Sequence, residues 1–179
     1  MSKLFLIIGF LLCYQGDTRE FSWHENHDLA WTDFKGKPDQ NSRAAAVTAS
    51  GISFSYSIQK SSSHGITGFK TQVFAHFYPE HSWCKEELIN PYILNHEQFH
   101  FNITELHVRK LRKNISKLKG TKFLAKRLSA LHQEANANLM KMQKLYDAES
   151  NYSIHKEGQQ KWVILVNKEL KLLEQFKSQ

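Results

Sequence analysis

The sequence predicts an α+β protein, with a small antiparallel N-terminal sheet followed by a helical half. Three observations carry this prediction. Ile52, Phe54, Tyr56 and Ile58 alternate with Ser53, Ser55 and Ser57, the period of a strand with one face buried. After a polar loop at residues 61–68 the alternation returns, with Phe69, Val73, Ala75 and Phe77 on one face and Lys70, Gln72, Phe74 and His76 on the other. Two such runs joined by a polar loop pair most simply as an antiparallel hairpin. Beyond Ser82 the apolar residues recur instead at spacings of three and four, the stripe of amphipathic helices.

Taken in order, the chain opens with Lys3 and an apolar run at residues 4–12, too short to span a bilayer. It reads as a secretory signal peptide over residues 1–18, which places a single domain over residues 19–179 in a secreted or periplasmic setting. Cys13 offers a lipid-anchor alternative, against which the bulky Leu12 argues. Without the leader Cys84 is the sole cysteine, which rules out an intramolecular disulfide and a cysteine metal site. Trp23, Leu29, Trp31 and Phe34 suggest an extended lead-in with a strand at residues 29–34, closed by a turn at Gly36-Lys37-Pro38-Asp39.

Ser82 is expected to cap a short helical turn reaching Leu88. Asn90 followed by Pro91 is an N-cap with proline at the first helical position, where its missing N–H costs nothing. The helix so begun carries Ile93, Leu94, Phe99, Ile103, Leu106 and Leu111, with Gly120 as its stop and Thr121 capping the next. That second helix shows Leu124, Leu128, Leu131, Ala135, Leu139, Met142 and Leu145 as a core stripe and folds back antiparallel. Met140 and Met142 are read as packing. A loop at residues 150–158 and a last helix at residues 159–176, with Trp162, Val166, Leu170 and Leu173, complete the chain.

The net charge of +7 is concentrated: nine of the nineteen residues at positions 109–127 are Lys or Arg. Phe123 is the only aromatic residue interleaved among them, so they read as solvated helix faces rather than a nucleic-acid surface. The expectation is a monomer with no nucleic-acid partner and no membrane span.

The chemistry sits at His96-Glu97-Gln98-Phe99-His100, an H-E-x-x-H pattern. On a helix the two histidines differ by about 40° in direction and one turn in height, so they can share a Zn²⁺ ion. Glu97 lies about 60° from His100, within reach of a water on that ion, whose proton it can take and pass to a leaving amine. A catalytic zinc needs a third protein ligand. Glu105 points about 180° from His96 and suits a salt bridge or a supporting hydrogen bond, while His107 lies about 10 Å beyond His100. The fold-back places the stretch near Lys144 level with His96. The candidates are therefore Asp147, placed first, then Glu149 and His155. Tyr146, Tyr152 and His76 are possible donors to an oxyanion.

The chain also resembles a bacterial family of secreted proteins called domain of unknown function 922, described as predicted zinc-dependent proteases. The matching residues are Leu29, Trp31, Asp33, Phe34, Gly36 and Pro38; Ala45, Ala46 and Thr48; Phe77, Ser82 and Trp83. They continue with Leu94-Asn95-His96-Glu97-Gln98-x-His100-Phe101, Glu105, Leu106 and Arg109, then Tyr146, Asp147, Glu149, Gln160 and Trp162. The resemblance implies a zincin-like metallopeptidase with His96 and His100 as ligands and Glu97 as the catalytic acid. It departs where relatives carry a histidine after the Tyr-Asp motif and this chain has Tyr152. The function expected is a secreted zinc-dependent peptidase acting on a polypeptide laid against a strand at residues 69–78. The alternative is a non-enzymatic cell-surface module with a structural or degenerate metal site.

Overall fold

The computed structural model describes residues 20–63, 65–119 and 122–178. The expected leader, Cys13 and the expected helix boundary at Gly120 and Thr121 lie outside the described residues. Among the described residues five strands, β1 (Phe21–Ser22), β2 (Ala46–Val47), β3 (Ser50–Ser61), β4 (Gly65–Phe77) and β5 (Trp83–Cys84), precede three helices, α1 (Pro91–Ile115), α2 (Leu124–Ser150) and α3 (Lys156–Leu172). The architecture is the α+β arrangement the periodicities predict.

The expected hairpin forms between β3 and β4, in antiparallel register from Ser50 opposite Phe77 to Ser61 opposite Gly65. The three-stranded sheet has the order β1-β4-β3, and β2 pairs separately with β5. Val73, Ala75 and Phe77 are buried as the alternation requires and face α1, where Phe77 meets Phe101 with ring centroids 5.8 Å apart. One expectation is narrowed here. Within residues 69–78 the far end of the edge is covered, because β1 pairs Phe21 with Phe77 and Ser22 with His76, the Trp23 N–H donates to the Ala75 carbonyl, and Arg112 donates to the Val73 carbonyl.

Two local readings are also corrected. Residues 29–34 form no strand: the Asp33 carboxylate accepts from the Ala30 N–H at 2.7 Å and closes a 3-10 turn over Trp31–Asp33. This turn aims Phe34 at Phe77. Ser82 caps no helical turn. Its buried hydroxyl accepts from the Ala49 N–H and donates to the Tyr78 carbonyl, both at 2.9 Å, and the chain continues as β5. Gly36 is required nearby, because a Cβ there would lie 2.8 Å from the Glu80 carbonyl oxygen.

Helix α1 starts as expected, with Asn90 Oδ1 accepting from the Tyr92 and Ile93 N–H groups, each at 3.0 Å. Between the sheet on one side and α2 and α3 on the other, it is buried nearly all round. From His96 to Arg109 only Asn102 escapes full burial. The stripe on α2 holds through Leu139, but Leu145 is 42% exposed and Tyr146 takes the core position beside it. Met142 packs while Met140 is exposed. Helix α3 begins three residues earlier than expected, after a turn in which Asn151, Tyr152 and Ser153 all have positive φ.

Glu105 fills the structural role expected of it. Its buried carboxylate accepts from Arg109 Nε at 2.8 Å and from the Ser178 N–H and hydroxyl at 3.1 and 2.8 Å. Arg109 also donates to the Leu170 carbonyl and lies 5.3 Å from the Trp23 ring, tying α1 to α3 and to the lead-in. Two of the nine clustered cations thus serve the core, since Arg112 is spent on backbone carbonyls as well. No helix among the described residues is long and apolar enough to cross a membrane.

Arg109→Ala leaves the Glu105 carboxylate buried without its counter-charge, and urea denaturation should show a loss of about 3–5 kcal/mol. The Glu105→Leu, Arg109→Met double variant should lose far less. Burial first, then the nearby Lys110 charge, lowers the His107 pKa from 6.5 to about 4. Between those values the unfolded chain takes up a proton that the folded chain refuses, so stability falls as pH drops from 6.5 to 4. The loss should be up to about 3 kcal/mol, and a His107→Gln variant should lack it in pH-dependent denaturation.

Candidate metal centre

Helical spacing puts His96 and His100 on one face of α1, and the antiparallel course of α2 brings Asp147 opposite them. The two Nε2 atoms lie 3.2 Å apart. Asp147 Oδ1 is 2.9 Å from His100 Nε2 and 3.3 Å from His96 Nε2. Zinc bonds of about 2.0–2.1 Å at tetrahedral angles imply ligand-to-ligand edges of about 3.3 Å, so this triangle has the dimensions of one tetrahedral face.

The outer nitrogens set the protonation of the inner ones. His96 Nδ1 lies 3.3 Å from Gln159 Oε1, and His100 Nδ1 contacts Gln143 Oε1. An amide oxygen only accepts, so each Nδ1 carries the proton and each Nε2 presents a lone pair inward. In that tautomer two lone pairs and a carboxylate oxygen converge on one point, which either a shared cation or a proton on an imidazole satisfies. Burial alone would disfavour a charged His100, but Asp147, Glu97 and Gln143 outweigh it and raise its pKa. For Asp147, burial acts against ionisation, yet the two histidines hold its carboxyl well below the usual range. The cluster attracts positive charge by whichever carrier is present.

Gln143 and Gln159 escaped the sequence reading. Gln143 stands one turn before Asp147, so a helix that presents the carboxylate to His96 presents the amide to His100; that spacing was the available signal. Gln143 Nε2 also donates to the His100 carbonyl at 3.3 Å. The buried contact on α3 is Gln159, not the exposed Gln160. It depends on α3 turning back at once after α2. At Gly158 a Cβ would sit 2.1 Å from the Glu149 carbonyl oxygen, so only glycine lets the helices approach this closely.

The other candidates are used elsewhere. The Glu149 carboxylate accepts from Trp162 Nε1 at 2.8 Å, and His155 Nδ1 lies 3.2 Å from the Glu149 carbonyl oxygen. Tyr152 is 65% exposed and His76 points from the opposite face of β4, with Nδ1 3.6 Å from Glu20. Tyr146 is at the site but not as a free donor. Its ring stacks on His96 at 4.5 Å and its hydroxyl lies 3.5 Å from the His96 carbonyl oxygen. Burial first, and then the Glu97 charge, raises its pKa, so the hydroxyl stays protonated.

Glu97 is 4% exposed, and its carboxylate forms no hydrogen bond or ion pair with another described residue. Its backbone carbonyl accepts from the Thr48 hydroxyl at 3.2 Å, just beyond β2. The Cys84 thiol on β5 is pushed up by burial and by the Glu86 and Glu97 charges, so it stays a thiol.

A small sheet packed on a helix that presents two imidazoles to a carboxylate of the next helix defines an α+β protein with a candidate three-ligand metal centre. The chain belongs to the bacterial family of unknown function called domain of unknown function 922, whose model matches residues 27–156. That span takes in His96, Glu97, His100, Gln143 and Asp147 but stops short of Gln159. No curated protein and no solved structure matches the chain.

Replacing Gln143 or Gln159 by Leu leaves the three donors in place but frees one imidazole to rotate. Each variant should bind Zn²⁺ about 10–100-fold more weakly than the parent in competition with a chromogenic chelator.

Proposed function

We propose that this protein is a zinc-dependent peptidase that works outside the cytoplasm, either secreted or periplasmic. The observation that carries the reading is the pairing of an inward-facing His96–His100–Asp147 triangle with the buried Glu97, whose carboxylate forms no hydrogen bond or ion pair with another described residue. The donor set suits zinc, which takes two imidazoles and a carboxylate in hydrolytic sites and leaves a fourth position open. When bound there, zinc supplies a Lewis acid that brings the pKa of a water toward neutrality.

The chain's own residues do the rest. Gln143 and Gln159 hold the imidazoles in register, and Asp147 balances charge. Glu97 lies on the same side of α1 and accepts the proton lost by the water, then delivers it to the departing amine. A polypeptide substrate would lie extended against a strand edge. With the Ala75–Phe77 end of β4 covered, β2 fits that role better, because it leads into Thr48 and the Glu97 backbone.

A non-enzymatic reading keeps one point in its favour: His96 and His100 are only 3% and 9% exposed, as in a closed structural site. The two readings part at Glu97. Purified protein should hold about one zinc per chain, and Glu97→Gln should retain it while losing about 10²–10⁴-fold in hydrolysis of an unfolded protein. Hydrolysis that survives in this variant would sink the peptidase assignment, and retained zinc without activity in the parent would favour the structural one.

A further inference from the structure

Behind the His100 ring lies a closed set of hydrogen bonds that the zinc chemistry does not itself use. Thr104 stands one turn after His100 on α1 and is fully buried. Its hydroxyl donates to the His100 carbonyl at 3.2 Å, the back-bond that threonine makes within helices. With its one proton so used, the oxygen has two lone pairs to offer. They take the Ser50 hydroxyl of β3 at 2.7 Å and the side-chain Nε2 of Gln143 at 3.3 Å.

The second of these contacts decides how the Gln143 amide is turned. Its Nε2 also donates to the His100 carbonyl at 3.3 Å, so both of its partners are acceptors. Turned over, the amide would set its oxygen against that carbonyl and the Thr104 oxygen, and its NH2 group against His100 Nδ1. Nδ1 would then have to accept, which moves the ring proton to Nε2, the nitrogen that faces His96 and Asp147. A ring in that form cannot ligate through Nε2. Gln159 has no such backing. Its Nε2 is buried without a hydrogen-bond partner among the described residues, and its link to the triangle is the contact of Oε1 with His96 Nδ1 at 3.3 Å.

We propose, resting on the reading of His100 as a zinc ligand, that Thr104 is a positioning residue of the metal centre. With Ser50 holding its hydroxyl, it keeps the Gln143 amide oxygen toward His100 Nδ1 and so leaves His100 Nε2 free for the ion. Ser50 lies opposite Phe77 in the β3–β4 ladder. The docking of the hairpin on α1 and the orientation of this ligand are therefore set together.

The test is a double-mutant cycle on Zn²⁺ affinity, measured by chelator competition, with Thr104→Val and Gln143→Leu as its two arms. Valine keeps the branched shape of threonine and lacks the hydroxyl. Thr104→Val should weaken Zn²⁺ by about tenfold in the parent, the lower end of what residues supporting a ligand contribute. Where Gln143 is already leucine it should cost less than about twofold, because Thr104 acts through that amide. Thr104→Ser, which restores the hydroxyl, should stay within about twofold of the parent. Additive losses in the cycle, or parent-like affinity in Thr104→Val, would overturn the proposal.

The metal-free parent gives an independent readout. Nuclear Overhauser contacts from the Gln143 amide protons should be stronger to the Thr104 side chain than to His100 Hε1. The reverse pattern overturns the proposal even where Thr104→Val fails to fold. A parent that binds no zinc sinks the metal reading and the proposal with it, whereas one that binds zinc with the amide reversed sinks the proposal alone.

Discussion

Helix α1 is enclosed between a sheet and two helices while carrying an unusually polar sequence, and each polar side chain buried along it must find a partner or cost several kcal/mol. Most do so by reaching a different part of the chain. Gln98 accepts from the Leu29 N–H at 2.7 Å and donates to Asn102, which in turn takes the Trp23 indole N–H. Thr104 meets the Ser50 hydroxyl at 2.7 Å. Glu105 and Arg109 pair with each other and hold the C-terminal segment. The polar content of α1 is thus the means by which the lead-in, the hairpin and the last helix are fixed to one axis.

Within that scheme the His96–His100 pair is satisfied differently. Its outward nitrogens meet neutral amides, while its inward nitrogens meet each other and a carboxylate. Neutral amides hold the rings without adding negative charge, so the charge facing the central point comes from Asp147, with Glu97 close by. This balance suits a divalent ion better than a monovalent one. The site depends on α3 as much as on the motif: the left-handed turn at Asn151–Ser153 and the close approach at Gly158 deliver Gln159 to His96.

Much of the fold was legible because its signals are local. The β3–β4 hairpin follows from strict alternation, and the start of α1 from an asparagine and a proline placed where a helix N-terminus needs them. The misread segments have different causes. At residues 29–34 a local bond from the Ala30 N–H to the Asp33 carboxylate closes a turn where the spacing of Leu29, Trp31 and Phe34 suggested a strand. At Ser82 the hydroxyl meets the Ala49 N–H, a backbone group that only the folded chain places there. Similarly, nothing in the residues of β4 reveals that Phe21 and Ser22 return to cover its last residues.

The sequence by itself located the two imidazoles and the carboxylate beside them and narrowed the candidate third donor to a short stretch, because helical pitch and a hairpin's length are fixed by backbone geometry. Tertiary structure brought Asp147, rather than Glu149 or His155, against the two imidazoles, since rotation of α2 about its axis is set by packing and not by the register of its turns. It also supplied Gln143 and Gln159, whose amides look like ordinary surface residues until burial beside an imidazole gives them a role.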